Sequence, residues 1–196
     1  MSTTKPIKDK QTLEDFKNYY LTKKEYRNHL LIILGLNTAL RISDILTLKW
    51  KNVISVNSHT FKKHIYLIEQ KTNKESIIAL NKSALAALEL YLKSKNKNPC
   101  SINLESYIFE SRNHTGNPIS RSQAFRIIKT AAQACGLEEN ISCHSLRKTF
   151  GYVAWKQGVS PVMLMNIYNH SSFQITKRYL SIEQDERDEV FNSINI

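Results

Sequence analysis

Residues 144–180 of this chain read HSLRKTFGYVAWKQGVSPVMLMNIYNHSSFQITKRYL, and this stretch decides the fold because it predicts three consecutive helices. Leu146, Phe150 and Val153 recur at helical spacing, so one face of the first helix can be buried against a core. His144 and Arg147 are three residues apart and therefore share another face of that helix. The first helix thus has an apolar side for a core and a polar side that is free for a site.

Turn-forming residues mark where these helices begin and end. Gly158 is typical of the C-terminal end of the first helix, and Ser160 with Pro161 is typical of the start of the second. His170 falls at the end of the second helix, and Tyr179 lies in the third. Taken singly, each of these polar residues is more often a surface or core residue than part of a site. The argument for a site therefore depends on the whole set.

Charge is the clearest feature of the composition. The 196 residues include 28 Lys+Arg against 17 Asp+Glu, which gives a formal net charge of +11 and a sequence pI near 9.6. The excess is spread over many predicted elements and favours a broad face that meets a polyanion, with nucleic acid as the first candidate. A ribosome-like or merely basic protein is the alternative. The length fits a single domain with a substantial core.

Neither a membrane protein nor a disulfide-rich protein fits this sequence. No apolar run approaches the length of a membrane span, and the N-terminal MSTTKPIKDK is too polar for a signal peptide. Cys100, Cys135 and Cys143 are odd in number and form no C-x-x-C pair, which favours a reduced, cytoplasmic chain. Cys143 beside His144 is a weak indication of zinc, but no second pair of ligands has metal spacing.

The remaining elements are predicted from periodicity. Residues 1–10 are expected to be a flexible basic arm, and helices are predicted at about 13–20, 26–36, 82–95 and 120–136. Strands are predicted at 56–61, 64–69 and 76–80 from their β-branched and aromatic residues. The fold class is therefore mainly α with a small antiparallel β-sheet (α+β). Lys71 falls at the tip of the hairpin between the last two strands, where lysines are mostly solvated.

Arg41 is an unusual charge because it stands between the apolar residues Leu40 and Ile42. Burying an unpaired guanidinium is costly, so such an arginine is normally paired or directed at a ligand. Asp44, three residues further on, is the expected partner if this turn is helical.

Six polar residues follow one another in a recognisable order. Their surroundings read ALRISD at Arg41, QKT at Lys71, HSLRKTF at His144 and Arg147, NHSS at His170 and TKRYL at Tyr179. In these motifs the chain resembles the catalytic domain of the tyrosine recombinase (phage integrase) family, whose signature is arginine, lysine, H-x-x-R, a second histidine or tryptophan, and tyrosine. The resemblance covers residues 26–180. Two departures, Asn169 for glycine and Lys148 for histidine, replace no reacting group.

The resemblance implies a site-specific recombinase that cleaves and rejoins DNA through a covalent 3′-phosphotyrosine intermediate, for integration, excision or inversion of a mobile genetic element. It implies that Tyr179 is the nucleophile and that His144 is its general base, and the acid in the reverse step. By the same resemblance, Lys71 protonates the departing 5′ oxygen and His170 hydrogen-bonds the phosphate.

Arginine explains how such chemistry proceeds without a cofactor. Arg41 and Arg147 can each fork onto the free oxygens of a phosphodiester and stabilise the charge of a pentavalent transition state. Since a guanidinium keeps its charge, neither a metal nor another cofactor is expected. Asp44 is expected to orient Arg41 or His144.

The resemblance also suggests how the chain is organised: an arm at 1–10, the catalytic domain at 11–181 and a tail at 182–196. Full-size members of the family carry a further N-terminal domain that clamps DNA, and the roughly forty residues before Arg41 are too few for it. The chain is therefore either a short invertase-like or integrase-like member, which Met1 favours, or a fragment.

The expected partners are double-stranded DNA and further copies of this chain, monomeric in free solution and assembled on DNA as the family's synaptic tetramer. The tail, with Val190 and Phe191, is either a helix that docks on a neighbouring protomer or one that folds back on its own domain. Such a protein acts in the cytoplasm, at the bacterial nucleoid.

Three other functions compete with this interpretation. A type IB topoisomerase has a similar catalytic arrangement, but typically carries lysine at the position of His144. A non-enzymatic DNA-binding regulator needs no tyrosine at position 179. A metal-dependent nuclease needs clustered carboxylates, which this sequence lacks.

Overall fold

The computed structural model describes residues 4–113, 116–137 and 140–194. The described chain is mainly helical with one two-stranded antiparallel sheet, which confirms the predicted fold class. In chain order the elements are α1 (Lys10–Thr22), α2 (Tyr26–Asn37), α3 (Ile42–Leu46), α4 (Trp50–Val53), β1 (His64–Ile68), β2 (Glu75–Ala79), α5 (Lys82–Ser94), α6 (Arg121–Ala134), α7 (Cys143–Lys156), α8 (Pro161–Tyr168), α9 (Phe173–Leu180) and α10 (Glu183–Ser193).

Helix α2 is the centre of the main core. Residues 29–36 are all buried, because α1, α5 and α7 pack around this helix. Gly35 lets α7 approach closely, since a Cβ at that position would lie 3.1 Å from the Cβ of Leu146. The prediction of a buried helix at 26–36 is therefore confirmed.

In the described part of the chain, no helix combines the length and the apolar character that crossing a bilayer requires.

Side-chain caps begin the helices where the sequence predicts them. Asn81 accepts a hydrogen bond from the backbone N–H of Ala84, and Ser120 accepts one from Gln123. Ser160 accepts one from Met163 and is followed by Pro161 in the first turn of α8. These contacts satisfy N–H groups that a helix start leaves unpaired.

The predicted strand at 56–61 is wrong. Only a single antiparallel bridge joins Ile54 to Phe61, and between them His59 adopts a positive φ of 50° while Val56 is 61% exposed. The reason is that the preceding short helix α4 and Ile54 already fill the adjacent core, so the chain turns through solvent there. The strands at 64–69 and 76–80 are confirmed as β1 and β2, whose register pairs His64 with Ala79 and Ile68 with Glu75.

The N-terminal segment is anchored in its described part, residues 4–9, although its polar, basic sequence predicts a flexible arm. Ile7 is 2% exposed and donates its backbone N–H to the Thr149 hydroxyl over 2.9 Å. Lys8 forms an ion pair with Asp185 at 2.6 Å, and Lys148 donates to the carbonyl of Thr4. The segment therefore ties α7 to α10. Residues 1–3 of the predicted arm lie outside the described residues.

A second, smaller core lies beside the main one. We call it the C-terminal core, and its buried members are Ala39, Leu164, Tyr168, Leu180 and Ile182. It joins the end of α2 to α8 and α9, so it positions Tyr179 at its edge.

Helix α10 lies against its own chain through its acidic residues. Lys177 pairs with Glu186 and Lys156 pairs with Glu189, each at 2.5 Å. Phe191, by contrast, is 76% exposed. Of the tail predicted at 182–196, residues 195 and 196 lie outside the described residues.

Candidate active site

A cationic pocket of about 430 Å³ lies where the starts of α3, α6 and α7 meet the β1–β2 turn. Its lining contains four cations and one histidine and, among the described residues, no carboxylate: Leu40, Arg41, Ile42, Ser43, Gln70, Lys71, Arg121, Cys143, His144 and Arg147. Four of the predicted site residues therefore share one cavity. Arg121, the first residue of α6, is not predicted as a site residue because an arginine at a helix start resembles any solvated cation. Such a cavity suits an anion.

Arg41 pairs with Glu69, and the expected partner Asp44 was wrong. Arg41 precedes α3 as its N-cap residue with extended backbone, so its side chain does not share a helical face with Asp44. Its guanidinium instead meets the carboxylate of Glu69, immediately after β1. Nothing in the sequence distinguishes this glutamate from a solvated acid at a strand end.

Asp44 is nevertheless buried, at 2% exposure, next to the turn that carries Lys71. One of its carboxylate oxygens accepts the backbone N–H of Gln70 at 3.0 Å, and the other has no partner among the described residues. The turn itself closes through a 2.9 Å hydrogen bond from the N–H of Asn73 to the carbonyl of Glu69. Lys71 is thus exposed on an anchored turn.

Arg147 is 5% exposed and held from two sides. It donates to the carbonyl of Ala39, whose positive φ of 53° turns that carbonyl out of the path of α2. Its guanidinium carbon lies 4.8 Å from the ring centroid of Tyr168, and the Tyr168 hydroxyl donates to the Arg147 carbonyl at 2.7 Å. Burial lowers the pKa of Arg147, but a guanidinium stays protonated at any physiological pH. Tyr168 was missed because a tyrosine at an apolar helix position predicts only core packing.

His144 stands at the mouth of the cationic pocket and is poised to be neutral. Partial desolvation, followed by the charges of Lys148 and Arg147, holds the pKa of His144 below its usual value of 6.5. A neutral imidazole can accept a proton at pH 7, which a general base must do.

Tyr179 and His170 lie on the other side of Arg147. His170 lines an adjoining cavity of about 710 Å³, and Arg147 lines both cavities. The ring centroids of Tyr179 and His170 are 5.2 Å apart, and those of Tyr179 and Tyr168 are 5.3 Å apart. Burial raises the pKa of Tyr179, and the charge of Arg147 opposes that rise. Arg147 therefore connects the cationic pocket to the aromatic cluster that contains Tyr179.

Lys148 is a further cation at this cluster. It is 3% exposed, and its ammonium lies 5.1 Å from the ring centroid of Tyr179. Burial lowers the pKa of Lys148. A lysine following the arginine of H-x-x-R thus packs beneath the tyrosine.

Metal ligands are not grouped in the described residues. No three histidine, cysteine, aspartate or glutamate side chains there converge in a way that would hold an ion. Burial raises the pKa of Cys143 to about 11, so its thiol is protonated at neutral pH in the metal-free chain.

Gly151 controls how closely α7 approaches α8 and α9. A Cβ at this position would lie 2.6 Å from Leu180 Cδ2 and would also collide with Tyr168. We expect Gly151→Ala to reduce the free energy of unfolding by about 1–3 kcal/mol, the usual cost of overpacking. It should also displace Tyr179; a thermal melt measures the loss of stability, and amide hydrogen exchange of α9 measures the displacement. Gly158→Ala is the control for lost stability without a collision: its φ of +81° strains an alanine, but a Cβ there would meet nothing within 4 Å, so α9 should keep its place. An effect on the hydrogen exchange of α9 from Gly158→Ala as large as that from Gly151→Ala would contradict the packing argument.

Comparison with known proteins identifies the family of this chain. Residues 8–186 match the model of the phage integrase family. The chain is 40% identical over 185 residues to the probable integrase/recombinase YoeC of Bacillus subtilis (strain 168). The aligned region covers 94% of this chain and 93% of that protein. It is 28% identical over 171 residues to a tyrosine recombinase of Pseudothermotoga lettingae, covering 87% of this chain but 55% of that protein.

Solved structures show the same fold. The crystal structure of XerA recombinase superposes with a TM-score of 0.72 at 18% identity, over 97% of this chain and 66% of that one. A post-cleavage complex of the XerH site-specific recombinase with its difH substrate superposes with a TM-score of 0.71 at 19% identity, over 93% of this chain and 51% of that one. The chain thus spans between half and two thirds of these longer proteins.

Proposed function

Since the chain belongs to the phage integrase family, we propose that it is a site-specific DNA recombinase that breaks and rejoins DNA through a covalent 3′-phosphotyrosine. The observation that carries this proposal is the position of Arg147, which lines the cationic pocket and also lies next to the aromatic cluster of Tyr179. The proposed catalytic unit is residues 11–181, with Arg41, Lys71, His144, Arg147, His170 and Tyr179 as its reacting set.

Arg41 and Arg147 are proposed to activate the phosphate. A phosphodiester repels nucleophiles because its two free oxygens share a negative charge. Arg41 and Arg147 bind those oxygens and stabilise the additional charge of the pentavalent transition state. His170, whose Nδ1 is hydrogen-bonded to the Thr176 hydroxyl at 3.1 Å, contributes a further contact to the phosphate.

Proton transfer accompanies the attack. The phenolic oxygen of Tyr179 forms a bond to phosphorus while the bond from phosphorus to the 5′ oxygen breaks. His144 takes the phenolic proton, and Lys71 gives a proton to the departing 5′ oxygen. Rejoining runs the same steps in reverse, so the phosphotyrosine conserves the energy of the broken bond.

The proposed partners follow from this chemistry. The substrate is double-stranded DNA, which places the protein's action at the nucleoid in the cytoplasm. Copies of the chain assemble on paired sites, and we assign the exposed Val190 and Phe191 of α10 to contacts between protomers. A basic chain of this kind should lose affinity steeply with salt because its contacts release counterions.

A nicked DNA substrate tests the proposal directly. When cleavage releases a short oligonucleotide, religation fails and the covalent adduct accumulates. We expect this adduct to form in EDTA, with no metal and no nucleotide added, because the arginines supply the charge. A regulator without enzymatic activity would yield no adduct, and a metal-dependent nuclease would be inhibited by EDTA and rescued by magnesium. Cleavage without exchange between paired sites would instead favour a topoisomerase-like activity.

Lys71→Ala should slow the cleavage of ordinary DNA. The cleavage rate of this variant should recover on DNA with a bridging 5′-thio group. A sulfur leaving group departs without protonation, so the acid becomes unnecessary. Gel assays of the adduct on both substrates measure the cleavage rate, with Lys63→Ala, which changes an exposed lysine just before β1, as the control. Equal failure of Lys71→Ala on both substrates would return Lys71 to the role of a solvated hairpin lysine.

The pH dependence of the cleavage rate should reflect two histidines that are neutral near pH 7. Desolvation and nearby cations lower the pKa values of both His144 and His170. Because a histidine with a lowered pKa protonates only on stronger acidification, we expect cleavage to stay constant near pH 7 and to fall with a midpoint below the usual 6.5. His144→Gln should lower the plateau and alter that midpoint, whereas the exposed His59→Gln should change neither. A midpoint above 6.5 would argue against His144 as the base.

A further inference from the structure

Glu69 is a nearly buried carboxylate that has no part in the reaction described above, although it contacts a member of the reacting set. Its side chain is 11% exposed and pairs with Arg41, which is itself 19% exposed. We propose that Glu69 is a positioning residue that fixes the guanidinium of Arg41 for the phosphate and couples it to the turn that carries Lys71. The inference rests on the proposed function, because it assigns Glu69 a role in that same cleavage.

The carboxylate of Glu69 is held by Arg41 and by two hydroxyl groups of its own hairpin. One oxygen accepts from Arg41 Nη1 and, at 3.0 Å, from the hydroxyl of Thr72. The other oxygen accepts from the hydroxyl of Ser76 at 2.9 Å. Burial alone would raise the pKa of Glu69, but the hydrogen bonds from Ser76, Thr72 and Arg41 outweigh it and leave the pKa below the usual value. The carboxylate is therefore ionised and has a fixed orientation.

Arg41 retains donors for a substrate while it is held in this way. The ion pair is made through Nη1, and a guanidinium offers five N–H donors in one plane. Arg41 also lines the cationic pocket. Glu69 therefore restricts the rotamers of a long side chain before DNA arrives, which reduces the entropy that ordering this side chain costs on binding.

The same glutamate sets the position of Lys71. Its backbone N–H donates to the carbonyl of Lys74 and its carbonyl accepts from Asn73, both at 2.9 Å, and these bonds close the turn around Lys71. The side chain that holds Arg41 thus belongs to the residue that closes the turn. A displacement of either group is transmitted to the other, so the phosphate contact and the leaving-group acid keep one mutual geometry.

The test compares two variants that each remove one negative charge from the hairpin. Glu69→Gln keeps the shape: its one carbonyl oxygen accepts from either Thr72 or Ser76, and the other hydroxyl can rotate to accept from the new amide NH2. Glu75→Gln changes an exposed glutamate in β2. Both should bind DNA with the same affinity. At saturating protein, Glu69→Gln should cleave nicked DNA at least about tenfold more slowly, as misplaced catalytic groups do. Glu75→Gln should stay within about twofold of the parent, as surface substitutions do.

A double-mutant cycle separates positioning from a merely structural role. If Glu69 acts through Arg41, Glu69→Gln should add no further loss in an Arg41→Ala background. The proposal would be overturned if the losses in cleavage rate from Glu69→Gln and Arg41→Ala were additive. It would also be overturned if Glu69→Gln cleaved as fast as Glu75→Gln, or faster than the parent. Should Glu69→Gln fail to fold in a thermal melt, Thr72→Val supplies the same cycle, because Thr72 supports the oxygen that holds Arg41. A parent chain that forms no adduct would overturn the proposed function itself, an outcome that these variants do not mimic.

Discussion

Tyr179→Phe is expected to abolish the covalent protein–DNA adduct while leaving DNA affinity unchanged. The substitution removes only the phenolic oxygen, the atom that attacks phosphorus. The ring and its packing against His170, Tyr168 and Lys148 remain, so the fold should persist. Denaturing gels of a nicked substrate measure the adduct, and a gel-shift titration measures affinity.

Tyr152→Phe is the matched control for this experiment. It makes the same change on α7, where Tyr152 lies 5.2 Å from the ammonium of Lys8 and outside the cationic pocket. Its adduct yield should equal that of the parent. An adduct that survives in Tyr179→Phe and maps to another residue would refute Tyr179 as the nucleophile.

Among substitutions that leave the nucleophile in place, we expect Arg147→Ala to reduce the cleavage rate the most. Removing a donor that stabilises the transition-state charge costs about 3 kcal/mol or more in the cleavage barrier. Arg41→Ala should lose a comparable amount for the same reason. Arg147→Ala should additionally lower the melting temperature, because it leaves the Ala39 carbonyl and the face of Tyr168 without their buried partner.

Single-turnover cleavage, DNA binding and thermal melts distinguish these effects. Binding should fall far less than cleavage, since many phosphate contacts remain. Arg147→Lys should not restore the rate, because an ammonium cannot reproduce the planar fork. Arg112→Ala, which removes an exposed arginine outside the cationic pocket, should leave the cleavage rate unchanged. Near-parental rates for both Arg41→Ala and Arg147→Ala would mean that the arginines are wrongly assigned.

Periodicity and caps were sufficient to predict the larger helices. In α6, Ser120 supplies a cap and Ile128 with Ala132 supplies the buried face, so local and tertiary signals agree. The segment at 56–61 failed because β-branched and aromatic residues also occur in turns, and only the packing of α4 decides between the two. Strand propensity describes a surface that is half buried, and burial is a tertiary property.

The site was predictable to the extent that it follows a linear motif. Arg41, His144 and Tyr179 are recognisable by their neighbours in the sequence. Glu69 and Tyr168 are not, because each supports an arginine that is distant in the chain and adjacent only in the fold. The expected Arg41–Asp44 pair failed for a related reason: residue 41 precedes the helix that contains residue 44, so helical spacing does not relate them.

The two cores differ in size, and this difference affects how firmly Tyr179 is held in place. Of the described residues, five form the C-terminal core that supports Tyr179, whereas the core around α2 is far larger. Regions with few buried contacts open at a lower free-energy cost than the rest of a protein. We therefore expect α9, which bears Tyr179, to open at a lower free-energy cost than α2, and amide hydrogen exchange of the two helices measures this difference. If the proposed reaction needs α9 in place, its rate is proportional to the fraction of protomers in which α9 is docked. A partner that binds only the docked state can then raise the rate by at most the inverse of that fraction.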